Sequence, residues 1–137
     1  MSAMEIVRLS TRGRAEMVDV TRQVQGVVAR SGVREGLVVV QSLHTTAGIT
    51  VNENADPDVR HDVLAKLERV FPHREPFYQH AEGNSDSHLK ASFVGASVTL
   101  VVHDGGVMLG RWQGIYFCEF DGPRDRQIAV QPVGAGG

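Results

Sequence analysis

The sequence has little of several features that mark specialised classes of protein. Its 137 residues contain one cysteine, Cys118, so the chain cannot form an internal disulfide framework. No apolar run approaches the roughly 20 residues that a membrane-spanning helix needs, and the first residues, MSAMEIVRLSTRGRAE, lack the apolar core of a secretion signal. We therefore expect a cytoplasmic protein without a membrane partner.

Charge of either sign is also not in excess. The formal net charge is −2 at pH 7, which favours neither general binding of nucleic acid nor a membrane surface. Any site for an anion must therefore be local. The length is that of one compact domain, which we place at residues 1–133, and we expect the tail GAGG, residues 134–137, to be disordered.

Strands are predicted by short runs rich in β-branched residues. The segments EIVRLS (5–10) and GITVNEN (48–54) alternate apolar and polar side chains, as half-buried strands do. The run GLVVVQSL (36–43) is more continuously apolar and predicts a buried strand. In the last third, SVTLVVHD, VMLGRWQGIYFCEF and DRQIAVQPVG are separated by GG and DGPR, which predicts an antiparallel sheet.

Three helices are predicted between these strands. In VTRQVQGVVARSG (20–32) three valines share a helical face, with Thr21 as a candidate N-cap and Gly32 as a stop. In ADPDVRHDVLAKLERVFP (55–72), Asp56 can cap, and an apolar stripe runs as far as Val70 and Phe71. A third helix begins near Asp86 or Ser87, with Leu89 and Phe93 facing inward. Because strands and helices do not alternate regularly, we predict an α+β domain of antiparallel sheet layers flanked by about three helices.

The segment HAEGNSDSHLKAS, from His80 to Ser92, concentrates reactive side chains before the third helix. If HAEG is extended, His80 and Glu82 project to the same side, and the following polar residues offer N-caps. The start of the helix presents unpaired N–H groups and a positive dipole end, where an anion can bind. The alternative is a polar loop in which Asn84 and Asp86 merely cap the helix.

A second polar segment, HTTAGITVNENAD, follows the buried strand. His44 stands where sheets often carry functional side chains, and Thr45 and Thr46 either contact an anion or form a turn. If His44 approaches His80 and His88 in space, the three imidazoles make a zinc-type site with one open position.

The third segment is LGRWQGIYFCEFDGPR, from Leu109 to Arg124. Trp112, beside Arg111 and Gln113, either lines a ring-binding surface or is a partly buried structural residue. Glu119 is a candidate carboxylate further along the same run. Cys118 is interpreted as a small buried residue, because no nearby group would activate its thiol.

Together these three segments resemble the YjbQ-like family, over essentially the whole chain. The resemblance implies a homotrimer with sites near subunit boundaries. It also implies a secondary thiamine-phosphate synthase activity, a transferase reaction that joins a pyrimidine methyl diphosphate to a thiazole phosphate with release of pyrophosphate. The family usually has Gly-Thr-Trp-Gln where this chain has GRWQ, so we expect Arg111 to add either an anion contact or an interface salt bridge in place of a small hydroxyl.

The candidate residues divide by expected role. The expected metal ligands are His44, His80 and His88, for zinc by ligand preference or Mg²⁺ with a diphosphate substrate. The expected catalytic residues are Glu82, Asn84, Asp86 and Glu119. The expected contacts to a small phosphorylated metabolite are Thr45, Thr46, Ser87, Arg111, Trp112 and Gln113. Two alternatives are a non-catalytic trimeric module that binds or senses the metabolite and a structural protein whose polar loops only cap helices.

Overall fold

Two antiparallel sheets and three helices make up the computed structural model, which describes residues 4–136. The strands are β1 (Glu5–Ser10), β2 (Glu16–Asp19), β3 (Gly36–Ser42), β4 (Ala47–Glu53), β5 (Ser97–His103), β6 (Gly106–Val107), β7 (Gln113–Glu119) and β8 (Asp125–Gly134). The helices are α1 (Thr21–Ser31), α2 (Pro57–Val70) and α3 (Ser85–Val94). The predicted α+β class, with antiparallel sheets and three helices, is confirmed.

The strands form a five-stranded sheet of order β1-β8-β3-β5-β6 and a three-stranded sheet of order β2-β7-β4. The two sheets meet where β3 ends and β4 begins. There the Ser42 hydroxyl donates to the Ala47 carbonyl oxygen at 2.9 Å, and Ala47 pairs with Glu119 at the end of β7. Because the pairing is antiparallel, the start of β8 also reaches this end of the sheets, with Ile128 opposite Ser42.

The three-stranded sheet is the middle layer, because its central strand β7 is buried on both faces. Ile115 and Phe117 pack in the core that includes residues of the five-stranded sheet and α1. Tyr116, Cys118 and Phe120 pack on the opposite face, in the cluster that includes residues of α2 and α3. The nearly continuous apolar run of β7 suits a strand that is covered on both sides.

The lone cysteine behaves as the sequence predicted. Cys118 is a buried free thiol, and its burial raises its pKa to about 12. A thiol with so high a pKa carries almost no thiolate near neutral pH. Cys118 is therefore a packing residue.

Helix α2 follows the sequence prediction at its start and departs from it at its end. The Asp56 side chain accepts a hydrogen bond from the Asp58 N–H at 2.9 Å, and Pro57 occupies the first helical position. Leu67 is buried, but Val70 is 53% exposed. The predicted apolar stripe is thus wrong at Val70, where the helix ends and its last turn is uncovered.

Helix α1 buries the predicted valine face and ends at Gly32, whose φ of 77° suits a residue without a side chain. The prediction that Thr21 caps this helix is wrong. The N-cap position is Val20, which makes no side-chain cap bond. The Thr21 hydroxyl instead accepts the Ile115 N–H at 2.8 Å, so it ties α1 to β7.

Helix α3 turns a polar face inward, which the sequence did not predict. Leu89 is 41% exposed and Phe93 is 72% exposed, so their predicted inward orientation is wrong. The helix instead buries Asp86, Ser87 and Lys90. The inward face is polar because charged groups of the opposite sign on neighbouring parts of the chain meet it.

Two strand boundaries also differ from the sequence prediction. Strand β2 was not predicted, and the run expected from Val107 to Phe120 divides into β6 and β7 around a turn. The expected tail starts at Gly134, but this residue closes β8 and pairs with Gly36. Gly137 lies outside the described residues.

None of the helices in the described part of the chain is suited to crossing a membrane. Within residues 4–136 no helix combines the length and the apolar character needed to cross a bilayer.

Candidate functional site

A cavity of about 540 Å³ opens at the end of the sheets where β3 ends and β8 begins. Its volume lies in the range of small-molecule sites, roughly 300–1,000 Å³. It collects residues from both polar segments and from the turn before β8. The lining residues are Leu43, His44, Thr45, Thr46, His80, Glu82, Asn84, His88, Asp121, Arg124, Asp125 and Arg126. Histidines from two separate segments, His44 from one and His80 and His88 from the other, therefore face one space.

His44 is held by the backbone of β8. Its Nε2 accepts the Gln127 N–H at 2.8 Å, and its ring meets Phe117 edge to face at 6.5 Å. Desolvation, together with the positive charge of Arg126, lowers the pKa of His44. The neutral ring then carries its proton on Nδ1, which makes that atom a hydrogen-bond donor.

His80 and His88 form a pair at the edge of the cavity. Their ring centroids lie 5.2 Å apart with the rings nearly perpendicular. His80 Nε2 lies 4.0 Å from Glu82 Oε2, and both side chains are partly exposed. The loop that carries them is tied by His73, whose Nε2 lies 3.1 Å from the Gly83 carbonyl oxygen. Glu82 is therefore the carboxylate that can orient His80.

Asn84 stands at the start of α3 with one half of its amide unpaired. Its Nδ2 donates to Asp121 Oδ2 at 2.7 Å, which fixes the orientation of the amide. Within the described chain, Asn84 Oδ1 is the buried side-chain atom with no hydrogen-bond partner. A buried acceptor without a donor costs free energy, so this position suits a ligand or water that donates a hydrogen bond. Asn84 does not cap α3 with its side chain.

The floor of the cavity is a buried ion pair. Arg126 points inward from β8 and donates through Nε and Nη2 to Glu119 at the end of β7. Its Nη2 also donates to Thr46 Oγ1 at 2.9 Å. Burial alone would raise the pKa of Glu119, but hydrogen bonds from Arg126, Thr11 and the Asp121 N–H hold it below its usual value. Glu119 is therefore a fixed anion that positions Arg126.

Asp86 and Ser87 lie behind the cavity rather than in it. Arg14 donates to both Asp86 oxygens at 3.0 Å, and Lys90 donates to Asp86 Oδ2 at 2.8 Å. The Ser87 hydroxyl donates to the Phe120 carbonyl oxygen at 2.6 Å. Neither residue lines the cavity. They hold α3 against the core, and the expected roles in proton transfer and substrate contact do not fit this placement.

Arg111, Trp112 and Gln113 lie at the opposite end of β7 from Glu119. A strand of this length spans roughly 20 Å, so the structure does not bring these expected substrate contacts to the cavity of the same chain. The Arg111 guanidinium stacks on the Trp112 ring at 4.7 Å. Gln113 accepts the Gly110 N–H at 2.7 Å, so both contacts shape the turn between β6 and β7.

The expected three-histidine metal site is not assembled in residues 4–136. No group of three or more His, Cys, Asp or Glu side chains there could hold a metal ion. The reason at His44 is that Nε2 already accepts the Gln127 N–H, so its lone pair is engaged. His80 and His88 remain as a close pair of imidazoles that could share a metal with oxygen atoms of a ligand.

The fixed charges of the cavity were only partly anticipated from the sequence. Glu82, Asp121 and Asp125 bring three carboxylates, against the guanidinium groups of Arg124 and Arg126. Arg124 Nη2 donates to Asp121 at 3.1 Å, and Arg126 is paired with Glu119. Sequence reasoning missed Arg126, although strand alternation in DRQIAV puts it on the same inward face as Ile128 and Val130.

Comparison with known proteins places the whole chain in one group. A UPF0047 protein, YugU of Bacillus subtilis, is 45% identical over 131 residues, which cover 96% of this chain and 99% of that protein. A UPF0047 protein of Methanocaldococcus jannaschii is 47% identical over 127 residues, covering 93% of this chain and 91% of its own.

Solved structures agree in fold. A YjbQ/UPF0047 family protein of Clostridium acetobutylicum superposes with a TM-score of 0.92 at 49% identity, covering 94% of this chain and 99% of that one. A YbjQ-like protein of unknown function from Sulfolobus solfataricus gives a TM-score of 0.92 at 32% identity, covering 96% of both chains. The family model described as UPF0047 protein YjbQ-like matches residues 5–135. The chain belongs to the YjbQ-like UPF0047 family.

Proposed function

We propose that the cavity binds phosphorylated, ring-bearing metabolites and joins a pyrimidine methyl diphosphate to a thiazole phosphate with release of pyrophosphate. One observation carries the proposal. His44, His80 and His88 line a single cavity beside the start of α3. Imidazoles and helix N–H groups are the donors that stabilise a departing diphosphate.

The balance of this reaction determines which residues matter. The ring nitrogen of the thiazole forms the new bond to the methylene carbon with its own lone pair. The carbon–oxygen bond breaks, and its electron pair leaves with pyrophosphate. No proton has to be removed from the nucleophile, so the reaction needs donors to the leaving group more than it needs a base. This suits a cavity in which Asp121 is already paired with Arg124 and in which Glu119, beneath the lining, is paired with Arg126.

His80 and His88 are the side chains that we assign to the leaving group. Glu82 lies 4.0 Å from His80 Nε2, where its carboxylate can orient the ring. His88, at 5.2 Å between ring centroids, flanks the same position. Asn84 Oδ1 would accept a hydrogen bond from the substrate, for example from an amino group on the pyrimidine ring.

A divalent metal is part of the proposal because the cavity has more carboxylates than free guanidinium groups. A diphosphate entering it needs additional positive charge. A bound Zn²⁺ or Mg²⁺ would supply Lewis-acid stabilisation of the diphosphate oxygens. We assign its protein ligands to His80 and His88, and we assign His44 to holding the backbone of β8 through Gln127.

Turnover tests this assignment directly. Purified protein is incubated with pyrimidine methyl diphosphate and thiazole phosphate in the presence of Zn²⁺ or Mg²⁺, and released pyrophosphate is measured. We expect His80→Ala and His88→Ala to lower the rate about 100-fold or more, as loss of a group that stabilises the charge on the leaving group does. His61→Ala, at a side chain that is 77% exposed on α2, is the matched control. A parent protein that releases no pyrophosphate would refute the synthase proposal.

Metal content is measured separately by elemental analysis of protein that has never met a chelator. We expect His80→Ala and His88→Ala to lose metal and His44→Ala to retain it. Undiminished metal in the folded His80 and His88 variants would show that the ion binds elsewhere.

A second candidate function is a binding module that captures a phosphorylated metabolite without converting it. It is favoured by the unpaired Asn84 Oδ1 at the start of α3, which can accept a hydrogen bond from a ligand without taking part in its conversion. Calorimetry and product analysis of the same mixtures distinguish the two functions. Tight binding with unchanged ligand supports the module, whereas product formation excludes it.

We further propose that the protein is a homotrimer. Strand pairing brings Leu37, Val101 and Val133 next to one another on the outer face of the five-stranded sheet, and all three are about half exposed. Met108 adjoins Val101 through a backbone hydrogen bond of 2.8 Å. A contiguous apolar row on a sheet face is typical of a surface that another protein covers.

A further inference from the structure

A second cavity adjoins the first and shares two of its residues. It measures about 490 Å³ and is lined by Phe77, Tyr78, Gln79, His80, Ser85, His88 and Leu89. His80 and His88 also line the polar cavity. The histidine pair is therefore a wall between a polar compartment and a compartment formed by aromatic and aliphatic side chains, which we call the apolar recess.

The aromatic side chains of the apolar recess are held in place by the loop between α2 and α3. The Tyr78 hydroxyl donates to the Pro72 carbonyl oxygen at 2.8 Å. The Phe77 and Tyr78 rings meet edge to face at 5.2 Å. Phe77 is nevertheless 71% exposed, so packing within the chain does not explain its presence. A large aromatic side chain fixed at the mouth of a recess offers a face on which a flat ring can pack.

We propose that the apolar recess binds the heteroaromatic ring of the pyrimidine methyl diphosphate, while its diphosphate lies in the polar cavity on the other side of His80 and His88. The assignment rests on the proposed function of the polar cavity and extends it to substrate specificity. Phe77, Tyr78 and Leu89 become the residues that distinguish a ring-bearing diphosphate from pyrophosphate itself. Phe77, rather than Trp112, then lines the ring-binding surface that the sequence suggested, because Trp112 lies at the far end of β7.

The polar cavity and the apolar recess adjoin at His80 and His88. This arrangement favours a ligand that has both a ring and a diphosphate. Apolar walls and convergent polar groups occur together in small-molecule sites, where the polar groups orient the ligand and the apolar walls supply burial. A ring that packs against Phe77 and Leu89 has the imidazoles beside it. The bond that breaks, between the methylene carbon and the diphosphate oxygen, would then lie next to the two imidazoles.

The test compares two ligands on the same protein. Calorimetry measures binding of inorganic pyrophosphate and of pyrimidine methyl diphosphate in the presence of Mg²⁺. We expect Phe77→Ala to weaken binding of the ring-bearing ligand about tenfold, the size of one lost aromatic contact, and to leave pyrophosphate binding unchanged. Leu89→Ala should act in the same direction. The control is Phe93→Ala, because Phe93 is as exposed as Phe77, at 72%, but lies outside the recess.

The outcomes separate the recess from the polar cavity. If the parent binds pyrophosphate as tightly as the ring-bearing ligand, or if Phe77→Ala weakens both ligands equally or neither, the recess proposal fails and the polar cavity stands. If the parent binds neither ligand, both proposals fail. If Phe77→Ala changes the molecular mass seen by light scattering, the occupant is a second copy of the chain, which also overturns the ring assignment.

Discussion

Arg126 and Glu119 show at the scale of single residues how the cavity is kept in shape. Their side chains are 4% and 0% exposed, and the pair closes the end of the core between the two sheets. Burying two charges costs free energy that their attraction only partly returns, but removing one partner leaves the other unpaired in a medium of low polarity. Replacing one of the two residues should therefore lower the free energy of unfolding more than replacing both by apolar residues.

Substitution of Arg126 by methionine should destabilise the fold by about 3 kcal/mol, because Glu119 would lose its counter-ion. The measurement is unfolding in urea, followed by circular dichroism. The matched control is Arg30→Met, which breaks an ion pair with Glu5 whose side chains are 61% and 39% exposed. That change should cost no more than about 1 kcal/mol. Equal costs for the two variants would contradict the structural role assigned to Arg126.

Asp86 should make stability fall in acid. Burial would raise its pKa, but the hydrogen bonds from Arg14 and Lys90 outweigh that effect and lower the pKa from 3.8 to about 2. Because the folded-state pKa is below the unfolded value, the stabilisation is complete above about pH 4 and is lost as the pH falls towards 2. A shift of this size corresponds to about 2 kcal/mol.

The variant Asp86→Asn should therefore lose at least about 2 kcal/mol at neutral pH and show a flatter decline of stability in acid. Urea unfolding at a series of pH values measures both effects. Asp62→Asn, at a side chain that is 79% exposed, should leave the curve unchanged. If the Asp86 variant lost stability in acid as steeply as the parent does, other carboxylates would be responsible for that loss.

The sequence located the histidines of the site but not the charges beneath them. His44, His80 and His88 stand in polar segments beside strand and helix ends, where functional side chains concentrate, and all three line the cavity. Asp86 has the same local appearance. Its ion pair with Arg14, 72 positions away in the chain, depends on how α3 meets the turn before β2, which no local pattern encodes.

At the scale of elements, α3 is placed by its polar face and by a close contact with β4. Its last residues pack on Gly48, where an added Cβ would lie 2.6 Å from the Gly95 carbonyl oxygen and 3.0 Å from Val94 Cγ1. The Gly95 carbonyl oxygen also accepts the Ile49 N–H at 3.0 Å. Gly48 is therefore required by the approach of the helix rather than by its own backbone conformation.

Substitution of Gly48 by alanine should push α3 away from β4 and cost about 1–3 kcal/mol, the range of overpacking in a close contact. Thermal unfolding measures the loss, and calorimetry with pyrophosphate shows whether the start of α3 still serves the cavity. Gly13→Ala is the control, because its nearest neighbour, the Ala15 carbonyl oxygen, would lie 3.8 Å from the new Cβ. A Gly48 variant as stable as the Gly13 variant would refute the close contact.

The orientation of α3 explains one failure of sequence reasoning. Periodicity assigns the apolar Leu89 and Phe93 to the core, yet both are exposed and Lys90 is buried. Lys90 reaches Glu68 of α2 at 2.7 Å as well as Asp86. Electrostatic partners on neighbouring elements decided which face of α3 turns inward, and these partners are visible only in three dimensions.

At the scale of the whole molecule, the outer face of the five-stranded sheet carries the assembly proposal. Light scattering should give about 45 kDa, three times the 14.9 kDa chain. Leu37→Glu should dissociate the trimer, because it would bury a carboxylate in an apolar contact. Lys66→Glu, on the exposed side of α2, should leave the mass unchanged. A parent protein of monomer mass would contradict the trimer.

The sequence by itself determined the α+β class, the buried central strands, the three helices and the polar segments that supply the histidines. These follow from local periodicity, from turn residues and from side-chain chemistry, which act over a few neighbouring positions. Only the tertiary structure decided that Asp86 and Glu119 are bound in ion pairs, that Trp112 lies far from His44 in the same chain, and that Phe77 lies beside the histidine pair. Those relations join residues distant in the chain, and they are fixed by how the sheets and helices pack.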